Sequence, residues 1–364
     1  MPFQRNKPFD ELPKLPPKAA IESPRLLKRA AGARGALGEL KGVGKLLPNE
    51  TILLNTLILE EARDSSEIEN IVTTRDKLYR ALASGSKNVD SATKEVLRYR
   101  SALWKGFGLV QEKGFISTNM IVDIQKELIE NDAGIRKLSG TKLANAKTSE
   151  VIYTPPEGEG IIRELLSNFE TFLNGQTELD PLIAMAVLHY QFEAIHPFYD
   201  GNGRTGRIVN VLYLVLKGLL DLPILYVSSF IINRKTDYYR LLLRVTTHGE
   251  WEPWILFMLE AVEATAIDTV EKVNAIRDSL EETIEEVREK LPRIYTKELV
   301  ELLFHQPYSK VAFLVDANLA ERKAAARYLN ALEHIGLLKA KKVGKEKIFL
   351  NQRLFELFSQ KSKR

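Results

Sequence analysis

Apolar residues recur at helical spacing along most of the chain. Across residues 52–83 they include Leu53, Leu57, Ile58, Ile68, Ile71 and Val72, set among strong helix formers, which predicts one helical region. Further helices are expected over residues 93–110 and 118–130, the latter pattern stopping at the loop-forming stretch 131–134. Between 141 and 156 the rhythm changes. KLANAKTSEVIYTPP holds two short β-compatible pieces around a polar turn and ends in a proline pair, which predicts a small hairpin. Helical spacing returns over 160–173 and 181–195, with Pro181 suited to a first turn, and again over 207–219, 235–246 and 253–291.

The two ends read differently. Pro2, Pro8, Pro13, Pro16, Pro17 and Pro24 exclude regular helix from the first two dozen residues and predict an extended strap across the body. From Tyr295 onward two short helical patterns precede a longer one over 318–335, and LLKAKKVGKEKIFLN then supplies two β-like runs around Gly344. That order resembles a winged helix-turn-helix. The whole is mainly α: an N-terminal helical region over 1–110, a core over 111–265, a connecting helix over 266–291 and a C-terminal module over 292–364.

Composition narrows the class. With 364 residues, 45% hydrophobic and 27% charged, the chain matches a globular protein of more than one domain. It has no cysteine, which removes disulfides, thiolate nucleophiles and cysteine zinc sites, and suits a reducing, cytoplasmic setting. The proline-rich start lacks the apolar stretch of a signal peptide, and the most apolar run, 208–220, is interrupted by Asn210 and Lys217 and is too short to span a membrane. A net charge of +4 from 52 basic and 48 acidic residues does not point to nucleic acid as a global partner.

The chemistry concentrates in His196-Pro197-Phe198-Tyr199-Asp200-Gly201-Asn202-Gly203-Arg204-Thr205-Gly206-Arg207, between two apolar helical runs. Gly201 and Gly203 allow backbone angles closed to other residues, so successive N–H groups can converge, and a helix starting near Arg204 adds its positive end: an anion cradle. Arg204 and Arg207 stay charged at any working pH and suit a polyphosphate. Asp200 offers a hard oxygen ligand for Mg²⁺ against phosphate oxygens. His196 is the one group nearby whose unperturbed pKa lies near neutrality, so it can take a proton from an incoming hydroxyl. His189, on an apolar run, reads as structural, and Phe198 as an anchor of the loop in the core.

This block resembles the signature of the Fic family, H-x-F-x-D/E-G-N-G-R-x-x-R, at every specified position, and the resemblance extends over about residues 12–260. It implies a Fic-type helical bundle and a protein adenylyltransferase that moves AMP from ATP to a Ser, Thr or Tyr hydroxyl and releases pyrophosphate. His196 would be the general base and Asp200 the Mg²⁺ ligand. ATP would meet Glu69, His196, Gly201, Asn202, Gly203, Arg204, Thr205, Gly206 and Arg207, with Arg204 and Arg207 on the β- and γ-phosphates. Tyr239, in the stretch 233–243, falls where the family builds its adenine pocket.

A second resemblance lies at Ser65-Ser66-Glu67-Ile68-Glu69-Asn70, which matches the inhibitory motif S/T-x-x-x-E-G/N of relatives whose blocking helix precedes the core. It implies that Ser65, Glu69 and Asn70 belong to an inhibitory helix within about 52–83, with Glu69 paired to Arg207. The alternative is a solvated acidic helix face. The 141–156 hairpin matches the family's flap, which holds the target by strand-like pairing. In the C-terminal module Arg322, Lys323 and Arg327, with Lys339, Lys341, Lys342, Lys345 and Lys347, form a basic set open to DNA phosphates, though Glu321, Glu333 and Glu346 dilute it. A homodimer, use of another phosphate-containing donor, removal of AMP by the same site, and a DNA-binding regulator with a vestigial core all stay open at this level. The target protein is not named by the sequence.

Overall fold

Ser23 closes the start of the first helix, its Oγ accepting from Leu26 N at 3.3 Å, with Pro24 in the first turn. This helix, α1 (Pro24–Gly44), was not anticipated, because its five glycines dilute the apolar rhythm. Its small residues let it lie along the long helix α11 (Trp251–Lys290); a Cβ on Gly32 would press on Glu263 of that partner. The computed structural model describes residues 3–45, 50–84, 89–145, 148–343 and 346–359. Leu53's side chain, part of the flap turn, and Gly344 and Lys345 of the expected wing lie outside what it describes.

Most of the expected helices form. They are α4 (Ser91–Lys113), α5 (Thr118–Ile129), α6 (Glu159–Asn174), α7 (Pro181–Ile195) and α10 (Lys235–His248), to which a short α9 (Ser228–Asn233) is added. The region 52–83 is not one helix. It divides into α2 (Glu50–Ile68) and α3 (Arg75–Ser84), because Asn70 turns left-handed at φ 64° and Ile71 N and Asn70 N bond back to Ser66 O and Glu67 O, a Schellman closure. Helix α8 (Asn202–Leu216) begins earlier than expected, so the motif glycines stand at its N-terminal end. The core of the bundle is α7, nearly every residue of which is buried, crossed by α8 and α11; Trp254 fixes the crossing with Nε1–H donating to Ala186 O at 2.8 Å.

The expected hairpin is present as β1 (Leu143–Ala144) against β2 (Val151–Tyr153), antiparallel and irregular in register. The N-terminal strap also forms: Phe9 N donates to Thr154 O just past β2, Leu15 N to Asn168 Oδ1, and Gln191 Nε2 to Pro13 O.

Beyond α11 the chain forms α12 (Lys297–Phe304), β3 (Tyr308–Ser309), α13 (Val311–Asp316), α14 (Arg322–His334), β4 (Leu338–Val343), β5 (Glu346–Asn351) and α15 (Gln352–Ser359), with strands in the order β3-β5-β4. The strand β3 and helix α15 were not expected, and the division placed at 265/266 falls inside the unbroken α11. This module docks on α3. Tyr308 Oη donates to Asp76 at 2.5 Å, Lys341 Nζ lies 2.9 Å from Tyr308 Oη, and the buried Tyr79 ring meets Phe355 and Phe358. Among the described residues no helix is long and apolar enough to cross a membrane.

Candidate active site

The site is the turn from α7 into α8. His196 ends α7 as a left-handed residue at φ 49°, its N–H bonded to Phe192 O at 3.0 Å. Burial, with help from the Arg136 cation, pushes its pKa down to about 4, against the opposing pull of Glu69 and Asp200. At neutral pH the ring is therefore the free base. Its Nδ1 is buried without a hydrogen-bond partner among the described residues. Phe198 packs on Phe192 in the core, as expected of an anchor.

Gly201, at φ 79°, opens α8, and a Cβ there would strike Ile129; the turn tolerates nothing larger. The side chain of Asn202 is directed inward: Oδ1 accepts from Phe198 N and Nδ2 donates to Phe198 O, both at 2.8 Å. It thus braces the loop from Phe198 to the start of α8. Thr205 is buried, and Gly206 packs so closely on Glu193 and Phe192 of α7 that a Cβ would press on both. Gly206 thus serves helix packing, while the Thr205 hydroxyl is buried without a hydrogen-bond partner among the described residues.

The two arginines are each 2% exposed and each engaged by acids. Arg204 reaches Glu95 of α4 at 3.2 Å and Asp200 at 3.4 Å. Arg207 donates from Nε to Ser65 Oγ at 2.8 Å, and from Nη2 to Ser65 O at 2.9 Å and Glu69 Oε1 at 3.1 Å. Burial works against the Arg207 cation, but Glu69, Tyr238, Glu193 and Tyr99 together outweigh it and hold it above its ordinary range. The ion pair is a single contact rather than a bidentate fork, supplemented by Ser65. Glu69 also sits on the cradle itself: a Cβ placed on Gly203 would run into Glu69 Oε1. A carboxylate therefore lies where the helix N-terminus and Arg207 would receive an anion. Asn70, the third motif residue, ends α2 and accepts from Lys235 Nζ at 3.3 Å.

Asp200 has a largely exposed carboxylate at the rim, with Oδ1 accepting from Gly201 N at 2.6 Å. Among the described residues no three His, Asp or Glu side chains converge on one point. A lone carboxylate beside an anion cradle fits Mg²⁺, which is commonly held by one or two carboxylates plus substrate phosphates. Tyr239 is 45% exposed, and its ring makes an edge-to-face pair with the buried Tyr238. His189 is structural: buried, bonded to Tyr238 Oη at 2.8 Å and stacked on Trp254.

Three further groups escaped sequence reasoning. Glu61 of α2 is buried between α4 and α9, accepting from Tyr99 Oη at 3.0 Å and from Ser228 Oγ and N at 2.5 and 3.1 Å, and burial pushes its pKa up to about 7. Glu193, beneath Arg207, is raised to about 7 by burial as well. Arg136 donates to main-chain carbonyls beside His196. Glu61 on a helix rich in acids and Arg136 in a loop carry no local signal of burial, whereas Glu193, the one acid of the apolar helix α7, could have been singled out from that contrast. In the C-terminal module Lys341 pairs with Asp76 of α3 and Lys347 with Glu333 of the module itself, while Arg322, Lys323, Arg327, Lys339 and Lys342 face solvent.

Comparison with known proteins places the chain among relatives of this fold. Residues 115–214 match the model described as Fic/DOC family, 27–108 match Fic/DOC family N-terminal, and 280–354 match "Protein adenylyltransferase SoFic-like, C-terminal domain". A curated relative named "Protein adenylyltransferase Fic" from Aedes aegypti is 26% identical over 199 residues, 54% of this chain and 38% of its own. One of the same name from Drosophila willistoni is 31% identical over 112 residues, 30% of this chain and 21% of its own. The chain thus spans well under half the length of these relatives. Among solved structures, a Fic family protein from Desulfovibrio desulfuricans aligns over 90% of this chain and 96% of its own, with TM-score 0.59 and 20% identity. Fic-1 from C. elegans aligns over 69% and 74%, with TM-score 0.54 and 21% identity. These likenesses concern the fold.

Proposed function

Because the chain belongs to the Fic/DOC family, we propose that it is a protein adenylyltransferase, transferring AMP from ATP to a hydroxyl side chain of a target protein and holding itself inactive through Glu69. The observation that carries the reading is the seat of Glu69, a carboxylate lying on the Gly203 cradle and paired to Arg207, beside a histidine kept in its basic form. Arg–carboxylate and Arg–phosphate pairs use the same donor, so Glu69 and the γ-phosphate compete for Arg207.

The residues divide the work as follows. His196 takes the proton of the target hydroxyl as its oxygen bonds to the α-phosphorus; the bond from that phosphorus to the α,β-bridging oxygen breaks, and pyrophosphate leaves. The N-terminal N–H groups of α8 and Arg207 hold the phosphates in line. Asp200 would hold Mg²⁺, which when bound neutralises phosphate charge. Arg204, anchored on Glu95, keeps Asp200 in place at the rim. The exposed face of Tyr239 suits stacking on adenine, and the β1–β2 flap suits strand-like capture of an extended target segment. The lack of cysteine supports a cytoplasmic location.

The test is incubation of the wild-type chain, Glu69→Gly and the double variant Glu69→Gly/His196→Ala with α-labelled or γ-labelled ATP and Mg²⁺, with intact mass read alongside. Label from the α position alone should rise at least tenfold in Glu69→Gly, in line with loss of a competing charged hydrogen bond of about 1.5–3 kcal/mol. It should vanish in the double variant. Label from the γ position would mean a kinase-like transfer, and sequence-specific DNA binding with no label from either position would favour a regulator.

A further inference from the structure

Arg136 is fully buried, lies outside the His196–Arg207 loop, and has no carboxylate within ion-pair distance among the described residues. Its partners are main-chain carbonyls. Nε donates to His196 O at 2.7 Å, Nη2 donates to Ile195 O at 3.2 Å and also to Pro156 O, and its own backbone N donates to Pro197 O at 2.9 Å. One guanidinium therefore joins the C-terminal end of α7, the backbone of the general base and the base of the flap. Tyr153 Oη, donating to Ala194 O at 2.8 Å, makes a parallel tie from β2 to the same helix end.

Burying a cation with carbonyl partners only is unfavourable against an apolar side chain of similar volume, and Nη1 is left without a hydrogen-bond partner among the described residues. Packing alone does not account for an arginine there. The end of a helix does attract a cation, since the last carbonyls of α7 carry the negative end of its dipole. The fork geometry adds what a simple cation lacks: it fixes His196 O and Ile195 O relative to Pro156 O.

We propose that Arg136 is a positioning residue for AMP transfer, which sets the backbone of His196 against the flap so that the imidazole and a captured target hydroxyl meet. The proposal rests on the adenylyltransferase reading above. It has a second consequence through charge. His196 is faced by Arg136 from the pre-flap loop, by Glu69 from the end of α2 and by Asp200 from its own loop; the first favours the neutral ring and the other two the charged one. Removing the Arg136 cation should make His196 easier to protonate.

The experiment uses the full chain in the Glu69→Gly background, adding Arg136→Gln or Arg136→Lys, and measures ATP affinity, AMP transfer to the chain itself and the pH dependence of transfer. Both additions should leave the Kd for ATP within about twofold, because Arg136 does not face the cradle, and should lower the rate constant of transfer at least tenfold. Only Arg136→Gln should move the acid limb of the profile upward, by about one pH unit; Arg136→Lys, which retains charge but not the fork, should leave it in place. An unchanged rate and acid limb in Arg136→Gln would overturn the proposal. So would a loss of transfer in both variants that tracks loss of ATP binding and of a cooperative melt, since that is the mark of a purely structural residue. If Glu69→Gly alone transfers no AMP while binding ATP, the adenylyltransferase reading itself is the one that fails, and this proposal goes with it.

Discussion

The turn between α7 and α8 and the C-terminal hairpin both concentrate positive charge, and they hold it in opposite ways. Arg204 and Arg207 are almost wholly shielded from water and fixed on carboxylates, whereas Lys339 and Lys342 stand in solvent and Lys347 meets Glu333 with both side chains substantially exposed. A shielded guanidinium keeps its strength because solvent and salt do not compete for it, so its partner is exchanged only for another anion of fitting shape. A solvated lysine contributes to a diffuse field that ordinary salt weakens. The first arrangement can be switched by moving one carboxylate. The second cannot, and the motif loop rather than the basic wing is where selective chemistry is expected.

The comparison breaks most easily at Arg207. Replacing it by Ala removes the donors that Ser65 O, Ser65 Oγ and Glu69 accept from and leaves Glu193 buried without its cation. A loss of about 3 kcal/mol in unfolding free energy is expected. The loss should be smaller when Glu69→Gly is already present, because one of the stranded anions is then absent. Denaturant melts of the two single variants and the double variant measure that coupling; additive losses would mean that the Glu69–Arg207 contact has no energetic weight in the resting chain.

A second effect sharpens the comparison through pH. Glu61 is raised to about 7 in the fold, against about 4.5 when unfolded, so the folded chain binds the extra proton. Its contribution is complete below about pH 4.5 and declines as pH rises through 7; between pH 6 and 8 it amounts to about 1.4 kcal/mol of lost stability. Glu193 acts with the same sign. Glu61→Gln, neutral at every pH, should flatten the decline by Glu61's share, and parallel stability curves for wild type and variant would refute the assignment. Glu61 ties α2 to α9 and α4 as the acceptor of bonds from Ser228 and Tyr99, so it is the burial of the charge and not the loss of these bonds that makes its ionisation costly.

How legible these features were from sequence follows from where their partners lie. The motif loop could be read because glycines at a helix start, two arginines and a histidine declare their requirements within twelve residues. The start of α7 was readable for the same reason, Pro181 standing in its first turn. Helix α1 was hidden because its glycines dilute the apolar rhythm, and of these Gly32 answers a requirement set far along the chain, its close approach to Glu263 of α11. The break after Ile68 was hidden because Asn70 stops the helix through backbone angle, while the apolar spacing runs on through Ile71 and Val72. Asn202, expected in the phosphate cradle, spends its side chain on the Phe198 backbone, and Arg136 bonds to carbonyls, which every residue has and no sequence pattern marks. Side chains that act on main chain are the class that pattern reading passes over.

The smallest expected effect lies in the C-terminal hairpin. Lys347 Nζ lies 2.9 Å from Glu333 and 2.7 Å from Asn330 Oδ1, a geometry as close as that of Arg207 with Glu69. Distance alone would rank the two contacts together. Exposure separates them, since Lys347 and Glu333 exchange water for each other at little gain and lose side-chain freedom in doing so. Lys347→Ala should therefore change the unfolding free energy by less than about 0.5 kcal/mol, and raising salt to about 0.5 M should erase even that difference. The same salt should leave the Arg207→Ala loss largely intact, because that site is shielded. A salt-insensitive loss above about 1 kcal/mol in Lys347→Ala would mean that the hairpin charges are held as firmly as those of the loop, and the contrast between the two regions would not stand.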